Sequence, residues 1–496
     1  MASMDMMSRL TDYSVSMDNE DQMEVRTEKL APIVKDKYRY TFRLDTSAFL
    51  DKNTMLLFKL KNKDGTAAAK EQRVNCFNGA LGAISRITLN IGDFEVQSID
   101  DVGRWATLNN LMNQPFNVRQ KKFSHFLGND LNMAVRDSQG GTNNAAVVGT
   151  IKPANTSGIN YGSAVDGTNA AINNHKLSED VDDCHQLGIP LGMLFPMLAQ
   201  RDLPLFLFTA YKIHIIVDFE NDASKYINSL DTKANTFAAA AGDVLPDNDS
   251  VELLVDYLVF PSKVQEGIRS QTQQDGGYLM DFLNIETILK TIPAGTSGSL
   301  QRTEHRLNLV NHEVHYVEMC KQLPSGVRNL IDKVCLAQKC SGISVENVNY
   351  NVNGVDIYNA GPVGNAVELY NNVSYVLGRD LQVAKPFYVN DPNTEASIIT
   401  APEDGLQGKY KPLALDLRNG EPTIRGGGRV IGNYPIRVIY ERKPHGEVQA
   451  STLEDTPVIA SADNGLLDVQ YFCAVSRVVK VMSLPNGGMN VLVSDL

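Results

Sequence analysis

Apolar and polar residues alternate with a period of two along much of the chain, which is the pattern of half-buried β-strands. The clearest case lies within residues 203–220, where four apolar residues from Ile213 to Phe219 alternate with mainly polar neighbours. An uninterrupted apolar run at 205–208 precedes them and predicts a strand buried on both faces. The question is whether this sheet supports an active site or forms a structural wall.

Similar alternation predicts further strands in both halves of the chain, whereas helical periods are few. These strands lie at 38–44, 55–60, 84–100, 251–260, 305–319, 345–359, 434–443 and 469–482. One short helix is predicted at 100–113, where Trp105 shares a face with Leu108 and Met112 before Pro115. The apolar period at 323–339 fits a helix, but the end of this segment could equally belong to a strand. We therefore predict an all-β protein with few short helices.

Two β-hairpins far apart in the chain have matching sequences. Residues 87–96, with a turn at Gly92-Asp93, align without gaps with residues 348–357, which lie 261 positions later. The apolar positions coincide, and an acidic residue lies two positions after the turn in both, Glu95 in the first and Asp356 in the second. Because the offset is about half the chain, the match predicts two similar β units in tandem.

Changes in composition suggest where the units begin and end. Residues 1–35 are polar, acidic and without a period, which predicts an N-terminal arm. Residues 138–175 hold only Lys152 and Asp166 as charged residues, which is typical of a long surface loop. A shorter loop at 231–250 is expected to connect a first unit at 36–230 to a second at 251–496.

Overall composition excludes several classes of protein. The 496 residues carry a net charge of −12, which argues against a protein that mainly binds nucleic acid. The N-terminus has no apolar region of a secretory signal, and no apolar stretch has transmembrane length. The 6 cysteines are scattered, so we expect no disulfide scaffold and synthesis in the reduced interior of a cell.

The most suggestive stretch for chemistry contains His312, Glu313, His315 and Glu318. A zinc-protease helix needs two histidines four positions apart on one face, whereas these are three apart on a predicted strand and point to opposite faces. We therefore interpret them as polar strand residues beside solvent or a subunit contact. With 8 scattered histidines, a metal-binding jelly-roll enzyme of the cupin type is also disfavoured.

Other candidate motifs are incomplete. Gly426, Gly427, Gly428 and Gly432 lack the Lys and Ser or Thr of a phosphate-binding loop and fit a turn better, with Arg425 and Arg429 in solvent. Cys335 and Cys340, with Cys320 upstream, lack the paired spacing of a zinc ribbon. His214 lies on the polar face of its strand. Asn155, Asn248 and Asn372 match a glycosylation pattern that means little without secretion. We expect no catalytic, cofactor-binding or metal site.

Three segments resemble the double jelly-roll major capsid proteins of the adenovirus and tectivirus lineage, which includes virophages, polinton-like viruses and large DNA viruses. They are 189–220, resembling the closing strands of the first jelly roll, 255–268, resembling the strand and turn that open the second, and 348–359. In the last, Asn353, Gly354 and Asp356 match the family's hairpin, but Ile357 and Tyr358 replace its Arg-Phe. The likeness spans about residues 36–490.

The resemblance implies two tandem eight-stranded antiparallel jelly rolls in one chain. It further implies a homotrimer with a pseudo-hexameric outline, a capsomer that tiles an icosahedral shell around a DNA genome. Expected partners are the chain itself, neighbouring capsomers, penton and minor or cement proteins, and an internal membrane or the genome through the N-terminal arm. The loops at 138–175 and 231–250 would project outward or clasp a neighbour. The expected location is the virion.

One alternative from another functional class stays open. A carbohydrate-binding β-sandwich, such as a viral spike or attachment protein, would share the strand pattern. Sugar sites usually carry exposed aromatic residues in their loops, and the long loop at 138–175 contains only Tyr161. The expected role is therefore structural, without a small-molecule substrate.

Overall fold

A computed structural model describes most of the predicted strands. It describes residues 24–62, 70–74, 79–113, 124–127, 186–200, 202–209, 211–223, 226–231, 236–238, 244–293, 300–322, 347–358, 413–418, 427–442, 467–483 and 489–495. The loop predicted at 138–175 and the ambiguous period at 323–339 lie outside these residues. Among the described helices, none is long and apolar enough to cross a membrane.

The elements follow one another as long runs of strands with few helices between them. The strands up to residue 259 are β1 (Glu24–Leu30), β2 (Val34–Lys35), β3 (Arg39–Leu44), β4 (Phe49–Leu50), β5 (Met55–Phe58), β6 (Leu60–Asn62), β7 (Lys70–Val74), β8 (Ile84–Ile91), β9 (Phe94–Asp100), β10 (Leu187–Pro190), β11 (Leu203–Pro204), β12 (Ile213–Phe219), β13 (Ile227–Asp231), β14 (Thr236–Ala238), β15 (Val244–Pro246) and β16 (Glu252–Val259).

The remaining strands are β17 (Tyr278–Ile292), β18 (Gln301–Leu307), β19 (Glu313–Gln322), β20 (Asn347–Val352), β21 (Val355–Asp356), β22 (Leu413–Asp416), β23 (Arg429–Val430), β24 (Ile436–Arg442), β25 (Leu467–Ser483) and β26 (Met489–Asp495). The helices are α1 (Val102–Asn113), α2 (Ser124–Leu127), α3 (Pro196–Gln200) and α4 (Ser262–Gln274).

Two antiparallel sheets form a first sandwich. In sheet 1, β16 lies between β1 on one side and β4 and β5 on the other, and β10 and β11 continue the sheet outward. Sheet 2 has the order β2-β3-β12-β8-β9. Rings from both sheets meet in the core, where Phe58 of β5 lies 5.1 Å from Phe219 of β12. Small sheets of β14-β13-β7 and β15-β6 flank this sandwich.

The second sandwich repeats the strand order of the first. In sheet 3, β25 lies between β17 on one side and β19 on the other, with β22 and β23 pairing with β19 and β26 with β25. Sheet 4 has the order β18-β24-β20-β21, which corresponds strand by strand to β3-β12-β8-β9 of sheet 2. Two antiparallel sheets with this order make a jelly roll. The predicted tandem of two jelly rolls is therefore confirmed, and we call them the first and the second jelly roll.

The strand register also confirms the alignment of the two hairpins. Leu89 of β8 pairs with Ile215 of β12, and Ile215 pairs with Phe42 of β3. In the second jelly roll, Tyr350 pairs with Val438, which pairs with His305. The position of Phe42 in the first jelly roll is thus held by His305 in the second. Asn353 and Gly354 form the second hairpin turn with φ of 53° and 83°.

The pairing of β16 differs from the expected boundary between the units. We predicted that the strand at 251–260 opens the second unit, but residues 253–259 of β16 pair with β1, which lies in the predicted arm. Residues 24–35 therefore include strands, and part of the predicted connecting loop forms β14 and β15. We infer that the first jelly roll spans 24–259 and the second 278–495, with α4 between them.

The apolar run at Leu205–Phe208 is also a correction, because it forms a 3-10 turn and not a strand. All four side chains are buried. An uninterrupted apolar run is compatible with any element that is surrounded by core on all sides, so its period does not distinguish a turn from a strand. The following strand β12 and the helix α1, by contrast, lie where the alternation and the helical period predict them.

Candidate assembly surfaces

The stretch that most resembled a metal site lies inside the second jelly roll. Glu313, His315 and Glu318 of β19 are all buried, so the expectation that they face solvent or a subunit contact is wrong. His315 Nε2 lies 2.7 Å from the Ser476 hydroxyl and 3.7 Å from Glu313 Oε1. His312 lies outside the strand, with Nδ1 3.1 Å from the Val310 carbonyl oxygen. No group of three potential metal ligands occurs among the described residues.

Glu313 holds the glycine-rich turn that we compared with a phosphate-binding loop. The backbone N–H of Gly428 donates to Glu313 Oε1 at 2.8 Å. A Cβ atom at Gly428 would lie 2.9 Å from both the His315 ring and the Val314 carbonyl oxygen, so only glycine fits. The turn therefore packs against β19. Gly426 and Arg425 lie outside the described residues.

The remaining candidates do not come together. His214 lies on the outer face of sheet 2, and partial burial, with Arg43 and Lys212 nearby, lowers its pKa. Cys320 and Cys473 are buried, and burial raises the pKa of the Cys473 thiol. The other four cysteines, including Cys335 and Cys340, lie outside the described residues. Within the described residues, these candidates therefore lie apart and do not form one site.

A packed seam joins the two jelly rolls. The edge strand β9 of sheet 2 lies against sheet 3, where the side-chain amide of Gln97 donates to the Leu283 carbonyl at 2.9 Å. Arg477 of β25 donates to the Val96 carbonyl at 3.2 Å. Because backbone groups of one jelly roll are bound by side chains of the other, the seam fixes their relative position.

Helix α1 extends the seam. Arg104 donates to Gln470 Oε1 of β25, and Gln470 Nε2 donates in turn to Asp101 Oδ2 at 2.5 Å. Apolar residues of sheet 3, including Phe472 and Ala474, belong to the same core cluster as the first jelly roll. One face of sheet 3 thus packs on the core of its own jelly roll and the other on the first jelly roll.

The two surfaces that form the seam each have a counterpart elsewhere in the chain, and these counterparts are exposed. Val96 is fully buried in the seam, whereas Ile357, its counterpart in the second hairpin, is 37% exposed. Nearby Val355 and Val430 are 57% and 62% exposed. The side-chain amide of Asn353, in the turn of the second hairpin, donates to the Val430 carbonyl oxygen of β23 at 3.1 Å. We call Val355, Ile357, Val430 and Tyr434 the hairpin patch.

The face of sheet 1 that corresponds to the seam face of sheet 3 is also open. Along β16, Leu253, Val255 and Tyr257 point into the core, whereas Leu254, Asp256 and Leu258 are half-buried on the other face. Val25 of β1, 57% exposed, pairs with Leu258. We call this surface, formed by Val25, Leu254 and Leu258, the open face. Within the described residues, the chain thus buries one seam and leaves the two surfaces that correspond to it exposed.

This architecture also occurs in known proteins. Residues 50–260 match the family model described as the N-terminus of the major capsid protein. The match ends at residue 260, one position after the end of β16. No curated protein sequence matches the chain.

Solved structures of capsid proteins share the fold over nearly the whole chain. PBCV-1 VP54, in a crystal structure fitted into a reconstruction of the virophage Sputnik, has a TM-score of 0.55 at 9% identity, covering 97% of this chain and 99% of that one. The Sputnik virophage structure gives 0.52 at 10% identity, covering 97% and 91%. The Faustovirus major capsid protein gives 0.51 at 10% identity, covering 95% and 94%.

Family match and fold together confirm the resemblance to double jelly-roll major capsid proteins. The family match over residues 50–260 supports the expected structural role as a capsid component of the virion. Sequence reasoning reached this role through the family resemblance of the segments at 189–220, 255–268 and 348–359. It missed the buried seam, because contacts between residues about 200 to 380 positions apart leave no local signal.

Proposed function

We propose that this chain, a major capsid protein with a double jelly-roll fold, assembles into a homotrimer with a pseudo-hexameric outline that tiles an icosahedral shell. The observation that carries the proposal is the repeated seam. In one chain, the β9 edge of the first jelly roll covers a face of the second. The hairpin patch and the open face correspond to these two surfaces, and no described part of the chain covers them.

A head-to-tail contact between these two surfaces would repeat the intrachain seam between chains. Such heterologous contacts form a closed ring when the rotation between units closes. Each chain contributes two jelly rolls, so a ring of three chains has six similar units. An outline with six similar edges accepts six neighbours in a shell, which supports tiling by capsomers.

The chemistry of the two surfaces fits such a contact. The hairpin patch offers exposed Val, Ile and Tyr side chains, and the open face offers Val25, Leu254 and Leu258. Aromatic and aliphatic residues surrounded by polar ones are typical of interface centres. On the open face, Thr27 donates to Asp256 at 2.6 Å and Lys29 lies 3.5 Å from Glu252, so these polar groups are already paired within the chain.

The trimer is tested by measuring the native mass of the purified protein. We expect a stable species near three times 54.5 kDa at micromolar concentration. A monomer under these conditions would contradict the trimer, while the capsid assignment from the family match would remain.

The contact itself is tested by Ile357→Arg, which places a charge in the hairpin patch. We expect dissociation to monomers with unchanged circular dichroism, because a buried unpaired charge disfavours association far more than it disturbs an exposed strand end. The matched control is Ile216→Arg, on the outer face of sheet 2, which should remain trimeric. Equal dissociation of both variants would reject this patch as the contact.

Other partners of the capsid stay predictions from the resemblance. They are the penton and minor or cement proteins, and an internal membrane or the DNA genome that the N-terminal arm would contact. The part of the arm before residue 24 lies outside the described residues.

A further inference from the structure

A carboxyl group lies buried in the seam between the two jelly rolls. Along β19, Val317 and Met319 point into the core of the second jelly roll. The alternate residues Tyr316 and Cys320 pack against the cluster that contains the first jelly roll. Glu318 lies between these two on the seam side and is 1% exposed. Its neighbours across the strands are Ala414 and Phe472, which offer no polar group.

The first jelly roll supplies the only hydrogen bond to this carboxyl group among the described residues. The side-chain amide of Asn109, on α1, donates to Glu318 Oε2 at 3.4 Å. The second oxygen, Oε1, is buried and has no hydrogen-bond partner in the part of the chain that the structure describes. A buried ionised carboxylate with one long hydrogen bond is strongly disfavoured, whereas the neutral acid is tolerated.

The cations around the seam are paired elsewhere. Arg418 Nε lies 2.9 Å from Asp416 Oδ1 at the end of β22. Arg104 of α1 donates to Gln470 Oε1, and Arg477 Nη2 of β25 lies 3.5 Å from Glu286 Oε1. Arg429 of β23 lies toward the start of β19, near Glu313 and His315. The other titratable neighbours are Tyr316 and Cys473, which are neutral groups. Within the described residues, no cation lies within ion-pair distance of Glu318.

We propose that Glu318 is a proton-dependent lock on the seam: the neutral acid holds the two jelly rolls together, and loss of its proton favours opening between α1 and β19. The lock operates inside one chain and does not depend on trimer formation. It would couple the cohesion of each capsid subunit to the pH of its surroundings.

The direction of the effect follows from proton linkage. Burial raises the pKa of Glu318 to about 8 from an ordinary value of 4.5. The closed seam therefore binds the proton more tightly than the open one, so the stabilisation is complete below 4.5 and is lost as the pH rises toward 8. Each pH unit in this window multiplies the ratio of open to closed seam about tenfold.

Hydrogen exchange of the backbone amides tests the lock directly. Protection factors, which correct for the intrinsic pH dependence of exchange, are measured for peptides of α1 and β19 at pH 6 and pH 8. In the wild type we expect protection to fall about 50-fold between these values, because half of the closed form has lost its proton at pH 8. In Glu318→Gln, a neutral side chain of the same shape, protection should stay constant.

Two further measurements make the test decisive. Glu304→Gln, at an exposed position of β18, should behave as the wild type does. Trp105, the only tryptophan, lies one turn before Asn109 on α1, so acrylamide quenching of its fluorescence should rise with pH in the wild type and not in Glu318→Gln. Equal pH dependence in the wild type and Glu318→Gln would overturn the proposal. Failure of Glu318→Gln to fold would overturn it too, because a neutral group would then not suffice.

Discussion

The two jelly rolls have the same strand order but differently built cores. The core of the first is apolar at its centre, with Phe58 and Tyr40 packed edge-on against Phe219 at 5.1 and 5.3 Å between ring centroids. In the second, hydroxyl, imidazole and thioether groups of several strands meet in the middle of the sandwich. The comparison teaches that the jelly-roll topology requires buried strands at given positions but does not require purely apolar side chains there.

The polar groups of the second core form one hydrogen-bonded chain. His305 Nε2 lies 3.0 Å from the Thr291 carbonyl oxygen, so this nitrogen carries the hydrogen and Nδ1 accepts from the Tyr471 hydroxyl at 2.7 Å. The hydroxyl groups of Tyr471 and Tyr440 are 2.8 Å apart. Burial lowers the pKa of His305, which keeps the ring neutral. A network with all members paired is tolerated inside a core, but it depends on the protonation of its histidine.

The largest expected effect comes from emptying the apolar core. Phe58→Ala should lower the free energy of unfolding of the first jelly roll by about 3–5 kcal/mol, because it removes a fully buried ring and leaves a cavity beside Phe219. Chemical denaturation followed by circular dichroism measures the change. A loss below about 1 kcal/mol would show that the first core is loosely packed, contrary to the ring geometry.

A smaller effect is expected from making the second core resemble the first. His305→Phe introduces the residue type that Phe42 has at the corresponding position, and it leaves the Tyr471 hydroxyl without its acceptor. At neutral pH we expect a loss of about 1–3 kcal/mol.

The pH dependence of the same variant separates packing from protonation. Because the folded protein holds His305 neutral, the wild type should lose stability as the pH falls below the ordinary value of 6.5, and His305→Phe should lose less. The difference between the two proteins should therefore narrow in acid, which melting curves between pH 7 and pH 5 would measure. A constant difference would show that the histidine is not a titrating group of the core.

The smallest effect is expected on the outer faces, where the two jelly rolls are alike. In the first jelly roll, Arg39 pairs with Asp218 across the strands, and Arg39 Nε lies 2.6 Å from Asp218 Oδ1. In the second jelly roll, Arg302 pairs with Glu441 in the same way. Arg39 is 58% exposed, so Arg39→Ala should cost about 0–1 kcal/mol. The unfolding free energy at low and high salt measures this. A loss above about 2 kcal/mol would mean that the pair is shielded from solvent in the assembled protein.

The local elements were predictable because their signals are local. The period of two located β12, the helical face of Trp105 located α1, and the hairpin alignment located the tandem repeat. The site was less predictable. From the sequence, Glu313 and Glu318 were expected to be ordinary surface carboxylates, but both are buried. Alternation along a strand does not distinguish a face covered by solvent from a face covered by other parts of the protein.

The sequence by itself located most of the strands and indicated that two similar β units follow one another. Only the tertiary structure decided that β16 closes the first jelly roll, that the run at Leu205–Phe208 is a turn, and that Glu318 lies in the seam. The physical reason is the same in each case. Periodicity records which face of a segment avoids water, whereas pairing and burial depend on partners far away in the chain.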